Sequence, residues 1–198
     1  MIEGDSIEYE LIEKVCKLIK KEDPFTCEVG VRLGKGTKTI LDTLKNKKDH
    51  WHIGIDPYGD ITYDHFDKDS TVTHKSGTSP TYPNSMKSQL LQNIMYDNFT
   101  LFTMTDEDFF RRYGEGVPIF KETRKLKNEY DLVFLDGPHK TIDVIKEIIF
   151  FGERLVKEGF LILDDFESYK SPLCVQVAGL MNIKPMHVGE NKIILRKY

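Results

Sequence analysis

The sequence predicts an α/β fold in which helices cover both faces of a doubly wound, mostly parallel sheet. Short apolar segments typical of buried strands alternate along the chain with segments whose apolar residues recur at helical spacing. The clearest strand, Tyr130–Leu135 (YDLVFL), is a continuous apolar run of the kind that a parallel sheet buries on both faces. Two further strands close the chain as a hairpin, so we expect seven strands with an antiparallel last one.

Each element is predicted from its own pattern of apolar residues and turn formers. The predicted strands are Phe25–Gly30, Trp51–Asp56, Phe99–Met104, Tyr130–Leu135, Phe160–Leu163, Ile183–Val188 and Lys192–Arg196. The predicted helices are one that Ser6 caps and that ends before Pro24, then Thr37–Leu44, Asn84–Tyr96, Asp106–Tyr113, Lys121–Asn128, Thr141–Lys157 and Pro172–Met181.

The chain has the length of one domain. Its 198 residues and 23.0 kDa are interpreted as a single domain over 1–198, with an N-terminal helix within 1–23. The segment 57–83 has no persistent period, and a long interior loop of this kind is often a functional lid. Its aromatic residues could close over a substrate; they are Tyr58, Tyr63, Phe66 and Tyr82.

Composition excludes several classes of protein. The formal net charge of −4 and the pI near 5.9 argue against a nucleic-acid-binding surface, which is normally basic. No apolar run approaches the roughly 18–20 residues that a membrane-spanning helix needs. Acidic residues stand where a secretory signal would have a basic flank, and three widely spaced cysteines fit neither a disulfide framework nor a zinc site. We therefore expect a cytoplasmic protein.

Ligands of such sheets bind beyond the carboxyl ends of the strands, which directs attention to the residues there. The first strand runs into a glycine-rich turn, Glu28-Val-Gly30-Val-Arg-Leu-Gly34-Lys-Gly36-Thr37, which is not the GxGxxG dinucleotide pattern. Glycines let the backbone approach a ligand closely, although a plain strand-to-helix turn would use them too. Asp56 ends the second strand, at a spacing where an acid commonly accepts hydrogen bonds from ribose hydroxyls.

Carboxylates also follow the fourth and fifth strands. Asp136 directly follows the fourth strand and the pair Asp164-Asp165 directly follows the fifth, so all three are expected at one edge of the sheet. Such crowding is unfavourable unless a cation neutralises the carboxylates, and oxygen ligands suit Mg²⁺, Mn²⁺ or Ca²⁺. Helix capping and solvation would also explain an Asp-Asp pair. His139 follows Asp136 by three residues, where it could serve as a general base.

Together these turns resemble the class I S-adenosylmethionine-dependent methyltransferases, whose fold is Rossmann-like. The pattern Glu28-x-Gly30-x-x-x-Gly34 resembles the first motif of the family, Asp56 its acidic second motif, and the closing hairpin its reversed last strand. DLVFLDGPHKT and EGFLILDDF resemble a narrower group, the small O-methyltransferases related to the macrocin and mycinamicin sugar methyltransferases. The usual second glycine of the first motif is Arg32 here.

The resemblance implies a role for each position. It implies S-adenosylmethionine as cofactor and Mg²⁺ as the divalent cation, with Asp136 and His139 as the catalytic residues, His139 being the base. The implied metal ligands are Asp136, Asp164 and Asp165. The implied cofactor-binding residues are Glu28, Gly30, Gly34, Gly36, Thr37, Asp56, Thr105, Asp106 and Asp136, with Asp106 or Thr105 near adenine.

The resemblance favours metal-assisted O-methylation of a small hydroxyl compound such as a sugar or a phenol. Two other classes stay open: a non-catalytic module that binds S-adenosylmethionine, and a nicotinamide-dependent oxidoreductase. Nucleic-acid methylation is disfavoured by the acidic balance. We expect no nucleic-acid or membrane partner, and the sequence leaves open whether the chain forms a homodimer.

Overall fold

A computed structural model describes residues 2–4, 6–59, 61–67, 71–74, 84–121 and 123–198 of the chain. The helices are α1 (Tyr9–Leu18), α2 (Lys35–Leu44), α3 (Asn84–Asn93), α4 (Asp106–Tyr113), α5 (Thr141–Arg154) and α6 (Ser171–Leu180). The strands are β1 (Phe25–Val29), β2 (Trp51–Ile55), β3 (Ile61–Asp64), β4 (Thr71–His74), β5 (Phe99–Phe102), β6 (Val117–Phe120), β7 (Arg124–Lys127), β8 (Tyr130–Leu135), β9 (Leu155–Leu163), β10 (Ile183–Val188) and β11 (Ile193–Lys197).

Seven of these strands form one sheet in the order β10-β11-β9-β8-β1-β2-β5. The pairs among β5, β2, β1, β8 and β9 are parallel, whereas β11 pairs antiparallel with both β9 and β10. The last strand of the chain therefore runs against the others and lies second from one edge. The predicted fold class is confirmed.

Helices cover both faces because alternate residues of the central strands point in opposite directions. On one face α1 and α2 pack their apolar sides on Leu132, Phe134 and Ile162. On the other face α4, α5 and α6 pack on a second set that includes Val133 and Leu161. Strand β8 is buried along its whole length, as its apolar sequence predicts.

One predicted element is wrong, and the boundary between two others is shifted. Residues Lys121–Asn128, predicted as helix, instead contribute β7, which pairs antiparallel with β6. The alternation of buried and exposed side chains in VPIF (Val117–Phe120) is the pattern of a half-buried strand. Helix α5 ends at Arg154, because β9 begins at Leu155 rather than at Phe160.

The segment 57–83 contains more regular structure than its sequence indicates. Strands β3 and β4 pair antiparallel, with Ile61 opposite His74 and Asp64 opposite Thr71. Tyr82 lies outside the described residues. No helix in the described part of the chain is both long and apolar enough to cross a membrane.

Candidate active site

The five parallel strands end at one level, which brings their following residues to a single edge of the sheet. Backbone hydrogen bonds continue one residue beyond the strands: Gly30 donates to Ile55, Asp136 to Val29 and Asp164 to Leu135, at 2.8–3.0 Å. The last registered pairs, such as Val29 with Leu135 and Leu135 with Leu163, fix the same level. The edge that the sequence identifies is therefore built as expected.

A cavity of about 770 Å³ opens at this edge. Its volume is within the range of small-molecule and cofactor sites. Seven of the residues that the resemblance implies for catalysis, cofactor or metal line it: Gly30, Asp56, Thr105, Asp106, Asp136, His139 and Asp165. Glu28 and Gly36 line a much smaller adjoining pocket, which Asp136 and Arg32 share with the main cavity.

The glycine-rich turn passes close to the turn that follows β8. Gly30 has φ +80°, and a Cβ placed on it would overlap the carbonyl oxygen of Asp136. A Cβ on Gly36 would overlap the Glu28 carboxylate, which is 1% exposed and accepts a hydrogen bond from the Thr37 hydroxyl. Glu28 therefore lies beneath the turn. Gly34, with φ +86°, precedes α2.

Asp56 is fully buried and holds the same turn from the side of β2. Its Oδ2 accepts from the backbone N–H groups of Val31 (2.9 Å) and Arg32 (3.0 Å), and its Oδ1 from that of Tyr58 (3.1 Å). A carboxylate offers about four acceptor positions, so three of them shape the loop. This carboxylate both builds the wall of the cavity and faces it.

At the cavity wall, the start of α4 carries Asp106 and Thr105, the two alternatives that the resemblance implies near adenine. Thr105 caps this helix, its side chain accepting from the Asp108 N–H at 3.2 Å. Burial raises the pKa of Asp106, and the nearby Asp143 and Glu107 raise it further.

Behind this wall stands Glu147 of α5, which the sequence analysis did not single out. It is 1% exposed, and neither carboxylate oxygen has a hydrogen-bond partner among the residues described. Burial, reinforced by Asp106 and Asp143, raises the pKa of this carboxyl well above its ordinary value. The carboxyl of Glu147 is therefore neutral over part of the pH range in which an exposed glutamate is ionised.

A second group of residues contains candidate ligands for a cation. One ligand atom each from Asp136, His139 and Asp165 lies within 4.8 Å of the others. His139 Nε2 is 3.6 Å from Asp165 Oδ2, and His139 is buried whereas Asp165 is half-buried. Mg²⁺ is usually held by one or two carboxylates together with waters, so Asp136 and Asp165 fit it.

The structure does not bring Asp164 into this cluster. Asp164 is completely buried, and its Oδ1 accepts from Lys192 Nζ at 2.8 Å and from Asn191 Nδ2 at 2.9 Å. Lys192 is also completely buried, and an ion pair without solvent is favourable only when its partners are well placed. The predicted set of three aspartates is therefore divided: two face the cavity with His139, and a lysine neutralises the third.

Residues of the 57–83 segment, expected from the sequence as a possible lid, also reach the site, but the sequence did not single out the ones that make the following contacts. The backbone N–H of His139 donates to the carbonyl of His65 at 2.9 Å, and the two imidazole rings are 4.7 Å apart. Asp67 accepts from both the N–H and the hydroxyl of Thr141, at 2.8 and 2.6 Å, and Lys140 pairs with Asp64 at 2.7 Å. No periodic pattern in the sequence marks these contacts.

With this geometry established, comparison with known proteins gives the family. The sequence profile of the family described as methyltransferase domain matches residues 27–166, which run from β1 to the turn that carries Asp164 and Asp165. The chain belongs to this methyltransferase family. The match confirms the resemblance to the S-adenosylmethionine-dependent methyltransferases.

Solved methyltransferases share the fold. An O-methyltransferase from Bacillus cereus, in complex with S-adenosylhomocysteine, has a TM-score of 0.61 at 9% identity, over 99% of this chain and 84% of its own. The O-methyltransferase TomG of Streptomyces achromogenes, involved in tomaymycin synthesis, has a TM-score of 0.59 at 10% identity, over 98% and 82%. An uncharacterized protein of Acanthamoeba polyphaga mimivirus is 23% identical over 164 residues. That alignment covers 83% of this chain and about three-fifths (61%) of the viral protein.

Proposed function

We propose that this methyltransferase transfers a methyl group from S-adenosylmethionine to a hydroxyl group of a small molecule, assisted by a divalent cation. The observation that carries the proposal is the shared cavity. The glycine-rich turn, Asp56 and the start of α4 form one half of its wall, and the Asp136, His139 and Asp165 cluster forms the other. A donor and an acceptor bound in the two halves would be held side by side.

The cofactor half is suited to the parts of S-adenosylmethionine. The turn that begins at Gly30 lets the methionine portion approach the backbone, and Asp56 lies where the ribose hydroxyls would donate hydrogen bonds. Thr105 and Asp106 bound the space for adenine. The solved O-methyltransferases described with S-adenosylhomocysteine or S-adenosylmethionine support this cofactor.

In the acceptor half, His139 is the base. It would take the proton from the acceptor hydroxyl, and its ring lies between the nearly parallel ring of Tyr169 and the tilted ring of His65. Asp136 and Asp165 would hold the cation. When bound, S-adenosylmethionine supplies a methyl group on a positively charged sulfur, and the cation supplies positive charge near the acceptor oxygen. Holding these groups together in one geometry is the larger contribution of the protein.

The acceptor that we propose is an uncharged polyhydroxyl or phenolic compound. Two basic residues, Arg32 and Lys140, are among the described residues that line the cavity. Arg32 belongs to the cofactor turn, and Lys140 forms an ion pair with Asp64. Apart from the divalent cation itself, the described acceptor half therefore offers a phosphorylated acceptor no lysine or arginine outside an existing ion pair. We place the reaction in the cytoplasm, since the three cysteines are buried free thiols.

Methyl-transfer assays test this proposal directly. Purified protein with Mg²⁺ should form S-adenosylhomocysteine from S-adenosylmethionine in the presence of neutral sugars or catechols, and EDTA should abolish the turnover. Binding of S-adenosylhomocysteine with no turnover on a broad acceptor panel would favour the non-catalytic alternative. Full turnover in EDTA would contradict the role of the cation.

A further inference from the structure

The buried pair of Asp164 and Lys192 lies directly behind the residue that presents a carboxylate to the cation cluster. Asp165 has φ +45°, a left-handed backbone conformation that is unfavourable for a residue with a side chain. Its N–H donates to Asp164 Oδ1 at 2.9 Å, so the same oxygen that binds Lys192 holds this peptide group.

The ammonium group of Lys192 is completely buried and makes its hydrogen bonds to the protein. It donates to Asp164 Oδ1 (2.8 Å), to Ser6 Oγ (2.6 Å) and to the carbonyl of Ile7 (2.7 Å). It also lies over the ring of Phe134, 5.5 Å from its centroid. One buried charge thus joins the end of β9 to the segment before α1, and Ser6 of that segment lines the cavity.

We infer that Lys192 is a positioning residue for the acceptor half of the site, acting through Asp164 on Asp165. The ammonium neutralises Asp164 and fixes its carboxylate, and the fixed carboxylate keeps Asp165 in the left-handed conformation that aims its side chain at Asp136 and His139. The positive charge demanded by three neighbouring aspartates thus comes in part from the chain itself. The expected effect on cation binding rests on the proposed function, whereas the restraint of the Asp165 backbone does not.

The turn around Asp165 has other contacts that agree with this role. The Tyr169 hydroxyl donates to the carbonyl of Asp164 at 3.0 Å, and the Ser168 N–H donates to that of Asp165 at 2.8 Å. Neither contact holds the N–H of Asp165. The carboxylate of Asp164 does so, and Lys192 is its one charged partner among the residues described.

The test is the substitution Lys192→Met, compared with Lys197→Met at the far end of β11, the strand that begins directly after Lys192. Lys197 also donates two hydrogen bonds, to the carbonyls of Gly152 and Leu155 at 2.8 Å, but lies away from the cavity. Amide exchange followed by NMR should show the N–H of Asp165 exchanging at least about tenfold faster in Lys192→Met, with the amides of Leu161 and Leu163 unchanged. Lys197→Met should leave Asp165 protected.

A second measurement tests the consequence. Mn²⁺ affinity, followed by electron paramagnetic resonance, should fall by roughly 10–100-fold in Lys192→Met, as is typical when a group that orients a metal ligand is lost. S-adenosylhomocysteine affinity should stay within about twofold, because none of the hydrogen-bond partners of Lys192 is a residue that we assign to the cofactor. Lys192→Arg should restore most of the Mn²⁺ affinity. If Lys192→Met does not fold, Lys192→Gln, which keeps a donor without the charge, takes its place.

The outcomes separate the inference from the proposed function. Unchanged protection of the Asp165 amide in the Lys192 variant, or the same loss in the Lys197 control, would overturn the inference. A parent protein that binds neither Mn²⁺ nor S-adenosylhomocysteine would refute the proposed function, while the exchange rate of Asp165 would still decide the role of Lys192.

Discussion

Replacing the buried Glu147 by glutamine should stabilise the protein in a way that grows with pH. In the folded chain burial holds the pKa of this carboxyl well above its ordinary 4.5, so the folded state keeps a proton that the unfolded state releases above that pH. The stability of the parent therefore declines as the pH rises from 4.5 toward the folded pKa. The neutral amide of Glu147→Gln does not undergo this loss.

The magnitude follows from proton linkage. Within the interval in which the folded state keeps its proton and the unfolded state does not, each pH unit lowers the free energy of unfolding by about 1.4 kcal/mol. Solvent does not screen this effect of burial, because the Glu147 side chain is 1% exposed. The free energy of unfolding of Glu147→Gln should equal that of the parent within about 1 kcal/mol near pH 4.5 and should be larger than it above that pH.

Urea unfolding of both proteins at a series of pH values from 4.5 upward measures the difference. The control is Glu153→Gln, one of the exposed positions of the same helix, which should change the free energy of unfolding by less than about 0.5 kcal/mol at every pH. A difference between parent and Glu147→Gln that does not vary with pH would refute the reasoning, because it would mean that the buried carboxyl ionises in the folded state as it does in the unfolded chain.

Three other substitutions test the walls of the site. Gly30→Ala places a Cβ against the carbonyl of Asp136 in a left-handed backbone. The substitution should lower the free energy of unfolding in urea by about 2–5 kcal/mol and weaken S-adenosylhomocysteine binding. The control Gly179→Ala, which has open space around it, should leave the free energy of unfolding unchanged or raise it. Asp67→Ala removes two hydrogen bonds at the start of α5 and should lower both kcat and the free energy of unfolding, the latter by about 1 kcal/mol. An unaltered kcat would show that the contacts of residues 64–67 with this helix are not needed for turnover. Asp165→Asn should weaken Mg²⁺ in calorimetry by roughly tenfold or more, whereas the exposed Glu167→Gln should not; equal effects would remove Asp165 from the cation site.

The sheet was accessible from the sequence because its strands have a strong local signal. A continuous apolar run such as Tyr130–Leu135 is buried on both faces, and the parallel arrangement follows from the alternation of strands and helices. Residues that end such strands, including Gly30 and Asp56, could therefore be placed at the cavity without knowledge of a single tertiary contact.

Other elements depend on contacts that the local sequence does not encode. Strand β7 carries four residues, RKLK, whose composition suits an exposed helix, and pairing with β6 decides their conformation. Strands β3 and β4 likewise gain their hydrogen bonds from each other.

The pairing of Asp164 has the same physical origin. Local spacing puts Asp164 beside Asp165 at the sheet edge, and this much the sequence predicts. The residue that neutralises it, Lys192, is 28 positions further along the chain and reaches it only because β11 pairs with β9. A charge balance calculated at the strand ends alone could not include that lysine.

Calorimetric titration with S-adenosylhomocysteine, in the presence and absence of Mg²⁺, tests the central claim most directly. We expect one molecule of S-adenosylhomocysteine to bind saturably per chain, with a measurable change in its affinity on adding Mg²⁺. Absence of binding at millimolar concentrations of S-adenosylhomocysteine would contradict the assignment of the cavity to a methyl-donor cofactor.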